Sequence, residues 1–420
     1  MKTEMTTGNK KQIIVVGAGI AGVSTALWLQ RFGENVTLMD RSEPGEGTSF
    51  GNAGVLAACS ITPVTAPKMI PKIPGYLLNP DFPLYVIWQK LPFLAPFLVR
   101  YLLNANDDDT RRISRGLTEI VADSVVQHRD LAHGTKAEQW LQDSKYIFAY
   151  ESRKAFENDG YVWSIRTGAG FEPQIVEGQE VREILPGTSN NINLLAVMDS
   201  HGFVLNPGQY VKDLAMTFRE QGGTFIKAQV KDFSKVDGKI NSVETDQGSF
   251  DCTDLVITAG IWSKDLMKKL GVTVPMESER GYHILFRSPS IVPPCPVMVA
   301  SGKFVMTPMA IGLRCAGILE FGGLTAPPSK KPLEIIKRHV RNTYPDLEWE
   351  DTEEWLGHRP APCDSLPFIG EVGESRIYTG FGHHHIGLTG GPKTGRILAE
   401  LIANDQYMFD ISPYFPRRFS

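Results

Sequence analysis

The chain has 420 residues, of which 42% are hydrophobic and 21% charged, with a formal net charge of −4 at neutral pH. That composition supplies a large apolar core and suits two or three domains. It excludes the strongly basic field that attracts nucleic acid. The five cysteines, Cys59, Cys252, Cys295, Cys315 and Cys363, stand far apart without a CxxC pair, which disfavours an iron–sulfur cluster, another metal site or a disulfide framework.

The first residues, MKTEMTTGNKK, are polar and run directly into IIVVGAG. They lack the apolar stretch and small-residue cleavage site of a secretory signal. With the scattered cysteines, this predicts a cytoplasmic, reducing location. Ile13 to Val16 is a β-branched run suited to a buried parallel strand. Gly17, Gly19 and Gly22 follow, then the helical stretch VSTALWLQRF, closed by Gly33, and a second strand, NVTLMD, ending in Asp40. Strand, glycine turn, helix, strand and terminal acid in that order satisfy the context a GxGxxG motif needs. Gly17 permits the tight turn, Gly19 lets backbone approach a pyrophosphate, and Gly22 lets helix and strand pack closely. The N–H groups around Ile20 and Ala21 open the helix toward the phosphates. Asp40, followed by Arg41, is placed to accept ribose hydroxyls and argues against a 2′-phosphate.

From Thr62 to about Pro83 the chain is proline-rich and predicts irregular backbone. The most apolar stretch, Tyr85 to Leu103, is interrupted by Lys90, Pro92, Pro96 and Arg100. It falls short of the ~20 apolar residues that cross a bilayer. It reads either as a pair of short buried helices or as a surface that dips into a membrane interface. Residues 84–141 read as mostly helical with a charged break at Asn104 to Arg112, and 146–185 mix short strands and helices. A helix is predicted over Asn206 to Gly222, with Pro207 in its first turn. The strand TFIKAQV, a meander about Gly238 and Gly248, and the buried strand LVITAG follow, with Trp262 opening a helix. Gly281–Phe286, Lys303–Pro308 and Gly312–Phe321 predict strands of a second sheet, and Pro332–Tyr344 a helix. The last part reads as the strand RIYTGFG, a glycine-rich turn and the helix KTGRILAELIAN.

The first motif alone does not separate FAD from NAD. Two later features favour FAD. The strand LVITAG ends in a small-residue turn where backbone can lie against a cofactor. GFGHHHIGLTGGP leads into a helix whose unpaired N–H groups and dipole would stabilise negative charge on a reduced flavin.

At these residues the chain resembles the D-amino-acid-oxidase-type FAD oxidoreductases. The resemblance runs almost end to end through VVGAGIAGVSTALWLQRFGENVTLMD, PGEGTSFGNAG, ERGYHI, SGKFVMTPM, GLRCAG, GHRPAPCDSLPFIG, GHHHIGLTGGP and DISPYFPRRF. Within the family it is most similar to bacterial D-amino acid dehydrogenase small subunits and, closer still, to the glyphosate oxidoreductase branch. The resemblance implies an α/β (α+β) protein with a Rossmann-like FAD-binding domain, built from residues 1–61, 200–275 and 355–420. A discontinuous mixed-sheet substrate domain would take 62–199 and 276–354. It implies that Gly17, Gly19, Ile20, Ala21, Gly22, Asp40 and Arg41 hold the ADP part of FAD. Thr48, Ser49, Asn52 and Gly54 would lie along the pyrophosphate and flavin. Val230 would meet adenine, Ala259 and Gly260 would line the cofactor, and Gly387, Leu388 and Thr389 would face the pyrimidine end.

For the substrate, the resemblance implies that Arg359 clamps a carboxylate, as a guanidinium fork is suited to do. His385 would add partial positive charge, with His283, Tyr282 and Arg314 as further pocket residues. Adjacent His383, His384 and His385 cannot readily point at one ion, so no metal is expected. Cys363 is offset from the position where some relatives attach flavin, so the FAD is expected to be non-covalent.

The implied activity is oxidative deamination of a D-amino acid, an imino acid or an N-substituted glycine by hydride transfer to flavin. The alternatives are a non-catalytic or electron-transfer subunit of an amine dehydrogenase complex, an NAD-linked dehydrogenase and a flavin hydroxylase. The electron acceptor is either dioxygen or a quinone or carrier. The dehydrogenase resemblance and the apolar 85–103 stretch tilt toward the second, with peripheral contact at an inner membrane.

Overall fold

A computed structural model describes residues 11–65, 67, 84–404 and 409–419. The polar N-terminal segment and most of the proline-rich stretch before Pro83 lie outside the described residues, as do the side chains of Leu84–Val86 and Trp88.

Two sheets carry the architecture. The first has six strands in the order Phe368–Glu371, Ile377–Phe381, Asp254–Ile257, Gln12–Val16, Asn35–Asp40 and Thr224–Lys227. All neighbours are parallel except the antiparallel edge pair of 368–371 with 377–381. Gln12–Val16 is central and buried on both faces, which is why its sequence is a continuous apolar run rather than an alternating one. Ile13 and Val15 pack beneath the helices Ile20–Arg31 and Gly387–Asn404. Ile14 and Val16 face the opposite cluster with Met267 and Val243, beside the predicted meander, formed by Val230–Val236, Lys239–Thr245 and Gly248–Asp251.

The two helices cross closely because Gly395 has no side chain. A Cβ there would meet the Ser24 backbone at 2.6 Å. The C-terminal helix starts at Gly387, so the last part of the expected glycine-rich turn, from Gly387 to Pro392, is already helical. Pro392 lies inside it and cannot donate to the Leu388 carbonyl. That carbonyl instead accepts from His128 Nε2 at 2.9 Å, while the His128 Nδ1 accepts from the Tyr210 hydroxyl at 2.9 Å. Burial pushes His128 down to about 4, which keeps it in the neutral form this pairing needs.

The expected charged break at Asn104–Arg112 is mostly a helix, Asp107–Val121. Asn106 caps it by accepting from the Asp109 N–H at 2.9 Å, and Asp107, Asp108 and Asp109 oppose the positive end of the helix dipole. The resemblance implies that this helix and Ser124–Ala132 belong with the substrate part. Their apolar residues, Ile113, Leu117, Ile120 and Leu131, pack instead in the core of the first sheet.

The second sheet has ten strands. Its main path runs Asp351–Pro362, Met276–Arg287, Gly312–Phe321, Phe304–Met309, Val297–Val299, Leu141–Tyr150, Leu194–Val204 and Val55–Leu56. Thus 355–362 and 55–56, both expected with the nucleotide-binding part, belong to strands of this sheet. The antiparallel pairing of 276–287 with 351–362 sets Glu279 opposite Arg359. The helix Lys330–Thr343 covers the sheet's outer face through Ile335, Ile336 and Val340. Its other face turns toward the first sheet, and the main cavity lies between. Among the described residues, no helix is long and apolar enough to cross a membrane.

Candidate active site

A cavity of about 1350 Å³ runs from the rim of the first sheet to the inner face of the second. Its first end is built from backbone. Gly17 has φ +108° and donates to the Met39 carbonyl at 2.7 Å. A Cβ at Gly17 would meet the Thr258 carbonyl oxygen at 2.5 Å, and one at Gly22 would meet the Gly17 oxygen at 1.8 Å. A Cβ at Gly19 would meet only the Ser49 hydroxyl, at 3.3 Å, and Gly19 lines the cavity. The three glycines therefore divide as expected: two are enforced by packing and one leaves room for an approaching group.

Asp40 stands at the same rim, its carboxylate accepting from the Ala18 N–H at 2.7 Å and the Ser42 N–H at 2.9 Å. Arg41 lies over the Trp262 ring at 3.9 Å. Ile20, Ala21, Thr48, Ser49, Asn52, Val230, Ala259 and Gly260 line this end and the passage inward. Gly387, Leu388 and Thr389 reach the cavity from the start of the C-terminal helix. Two helix starts, distant in sequence, thus open on one elongated cavity, an arrangement that fits a dinucleotide with negative charge at both pyrophosphate and ring. Gly22 and Gly54 do not line it. Gly54, at φ +82°, turns the loop against the Val204 carbonyl, and its N–H donates to Asn52 Oδ1 at 2.9 Å.

The inner end is built from side chains. Arg359 borders the cavity and is 20% exposed. It crosses Gly281 so closely that a Cβ there would meet its Cζ at 2.5 Å. Its Nη1 donates to Glu279 Oε1 at 2.9 Å, and His384 Nε2 donates to Glu279 Oε2 at 2.6 Å. Burial alone would raise the Glu279 carboxyl, but His384 and Arg359 outweigh it and hold Glu279 down to about 2. Tyr101 packs edge-on to His384, and its buried hydroxyl has no partner among the described residues. Tyr146, Phe148, Met298, Val305, Ala316 and Ile318 form an apolar wall, and Arg166 lies at its margin.

The remaining expected substrate residues separate. His385 lines the cavity, but burial, with the charges of His384 and Arg359, pushes it down to about 3. It is neutral, which reverses the expectation of partial positive charge. His283 and Arg314 do not line the cavity. His283 bonds the Gly51 carbonyl at 3.0 Å and stacks on Trp355, and Arg314 donates to the Phe50 and Asn52 carbonyls at 3.1 and 2.7 Å. Both brace the TSFGNAG loop from behind. Tyr282 borders the cavity, yet its hydroxyl donates to Glu320 at 2.7 Å and accepts from the Ser329 N–H at 3.0 Å. The histidine run diverges, since His383 bonds Thr394 Oγ1 at 2.8 Å while His384 turns to Glu279. Among the described residues, no group of three or more His, Cys, Asp or Glu is placed to hold a metal ion.

Sequence reasoning missed Glu279, Tyr101, Trp355 and Arg166. Glu279 lies within ERGYHI, two residues before Gly281, so strand alternation puts both on the face where Arg359 lies. Tyr101 was hidden in an apolar stretch. Trp355 fits only because Gly51 and Gly357 both lack side chains, where a Cβ would meet its ring at 2.0 and 1.9 Å.

Comparison with known proteins places this geometry. Residues 12–401 match the family model described as DAO, FAD dependent oxidoreductase. A D-amino-acid oxidase of Bradyrhizobium diazoefficiens is 33% identical over 97% of this chain and 99% of its own length. A D-amino acid dehydrogenase of Helicobacter pylori is 25% identical over 93% and 95%. The fold of L-proline dehydrogenase from P. horikoshii superposes with a TM-score of 0.73 at 20% identity, covering 98% of each chain.

Proposed function

Because this chain belongs to the DAO family of FAD-dependent oxidoreductases, we propose that it oxidises the carbon–nitrogen bond of a small amino acid or secondary amine, releasing a keto acid or aldehyde after the imine hydrolyses. The observation that carries this reading is Arg359, a guanidinium at the inner end of the cavity, oriented by a fully buried carboxylate.

The cofactor would lie along Gly19, Asp40, Ser49, Gly260 and Gly387. Bound FAD supplies the acceptor for the two electrons that leave the α-carbon as hydride. The chain's own residues do the rest. Arg359 presents its remaining N–H groups to the substrate carboxylate, which fixes the α-carbon in the chamber. Glu279 keeps the guanidinium from rotating away. The apolar wall of Phe148, Met298 and Val305 disfavours a buried ammonium, so the amine enters in its neutral form and no side-chain base is needed. The neutral His383 and His385, which burial pushes down to about 4 and 3, add no charge that would compete for the carboxylate. FAD is held without a covalent bond. None of the five cysteines lines the cavity, and burial, with Asp364 adding to it, pushes the Cys363 thiol up to about 12.

The substrate class is a D-amino acid, an imino acid or an N-substituted glycine, and the electron acceptor is a quinone or carrier. The helix Leu91–Leu103 supports that acceptor. Leu98, Tyr101 and Leu102 line the cavity, while Phe93, Val99 and Leu103 are exposed on its outer side, an apolar surface suited to peripheral contact with a cytoplasmic membrane face.

The test is anaerobic mixing of the FAD-loaded protein with D-amino acids, prolines and N-alkyl glycines, read as loss of flavin absorbance. At least one should bleach it, with a quinone analogue restoring the colour faster than dioxygen does. Arg359→Leu should lower kcat/KM for every carboxylate substrate about a hundredfold, while Lys330→Leu leaves it unchanged. If no amine bleaches the flavin, a non-catalytic or electron-transfer subunit becomes the better account.

A further inference from the structure

The inner end of the cavity holds a second guanidinium that the reaction above does not use. Arg166 stands in the last turn of the helix Gly160–Gly168 and lines the cavity wall. Its Cζ lies 4.4 Å from the Phe148 ring centroid and 4.7 Å from that of Trp163, and its Nε donates to the Cys59 carbonyl at 3.3 Å. These contacts hold the planar head in place and leave both terminal nitrogens without a partner among the described residues. No carboxylate among those residues pairs with it. The nearby Asp159 is committed to Lys303 at 3.5 Å and to the Tyr150 hydroxyl at 3.2 Å.

The ionisable groups that feel the Arg166 charge are themselves neutral. Burial pushes the Cys59 thiol up to about 11 and raises Tyr146 and Tyr150, and it lowers His201. The contrast with Arg359 is direct: one guanidinium has a buried counter-ion, and the other has aromatic faces and an open side. A half-buried cation held by rings but lacking an anion is poised to receive one, because a charge-assisted bond made there restores the solvation it lost.

We propose that Arg166 is a second anion-binding subsite of this cavity and that the preferred substrate is a dianionic amine. That substrate would be an amino dicarboxylate or an N-carboxyalkyl amino acid, whose far carboxylate Arg166 holds while Arg359 holds the near one. The inference rests on the reading of Arg359 given above. It assigns Arg166 to substrate selection and not to the oxidation step.

The experiment uses the FAD-loaded protein and non-reacting acids, so that binding is read apart from turnover. Malonate, succinate, glutarate and adipate are titrated against acetate, propionate, butyrate and pentanoate, following the flavin absorbance shift and tryptophan fluorescence. One dicarboxylate length should bind at least tenfold more tightly than its monocarboxylate match. Arg166→Gln should erase that advantage and leave monocarboxylate affinity within about threefold, Arg166→Lys should recover part of it, and Arg359→Leu should weaken both series. Equal binding of the two series by the unaltered protein would overturn the proposal, as would an Arg166→Gln loss shared equally by both, the signature of a packing role. Absence of binding by every acid would count against both arginine assignments. Dicarboxylate preference without flavin bleaching by any amine would leave the subsite standing and remove the proposed oxidation, whereas bleaching without dicarboxylate preference would do the reverse.

Discussion

The two ends of the cavity are made differently. At the nucleotide end, two helix starts, at Ile20 and Gly387, bring backbone to the cavity, and Gly17 and Gly22 let the chain pack closely behind the first of them. At the inner end, Arg359, Glu279, His384 and Tyr101 come from four separate stretches and meet only as side chains. A backbone site depends on the absence of side chains at chosen places. A side-chain site depends on the register of paired strands, here Glu279 opposite Arg359. The first tolerates change in neighbouring side chains and fails when a Cβ is added. The second tolerates little, because its members neutralise one another while buried.

The largest expected effect falls on the nucleotide end. Gly22→Val would drive a side chain into the Gly17 carbonyl, where even a Cβ would stand at 1.8 Å, and the purified protein should carry no flavin absorbance even after incubation with FAD. Glu279→Leu should leave FAD uptake intact at saturating cofactor. It should lower unfolding stability by about 3–5 kcal/mol in denaturant titration, since Arg359 and His384 lose their common partner. Loss of flavin in that variant would show that the two ends are not separable.

A third test uses pH. His128, His283, His383 and His385 are pushed down to about 4, 3, 4 and 3, in each case by burial first. An unfolded imidazole takes up its proton near 6.5, so between 6.5 and these lower values the unfolded chain binds more protons than the folded one. Stability should therefore be intact above pH 6.5 and fall as pH drops toward 3, by about 1.4 kcal/mol per pH unit for each histidine. His385→Asn should reduce that slope by one histidine's share, measured as Tm against pH. The smallest effect is expected from Arg41→Ala. Removing its stacking on Trp262 should cost about 0.5–1 kcal/mol, seen as a two- to fivefold weaker Kd for FAD.

The glycine turn, Asp40 and the start of the C-terminal helix were readable in the primary structure because each role is local: a positive φ, a missing Cβ, or an acid at a strand end. Arg359 was readable only through family resemblance. His283 and Arg314 were misplaced for an instructive reason. Polar residues on buried strands look like pocket residues, but here their polarity serves the loop carbonyls of Gly51, Phe50 and Asn52. The charge of His385 was misjudged because solvent exclusion is a property of the assembled cavity.

From the chain alone came the dinucleotide-binding βαβ unit, the FAD preference and the mixed α/β class, since short-range geometry and apolar periodicity act within one stretch of residues. The pairing of Arg359 with Glu279, the neutrality of the buried histidines and the unpartnered Arg166 arose on folding. Burial and electrostatic partnership depend on which distant strands lie side by side, and no local pattern of residues specifies that.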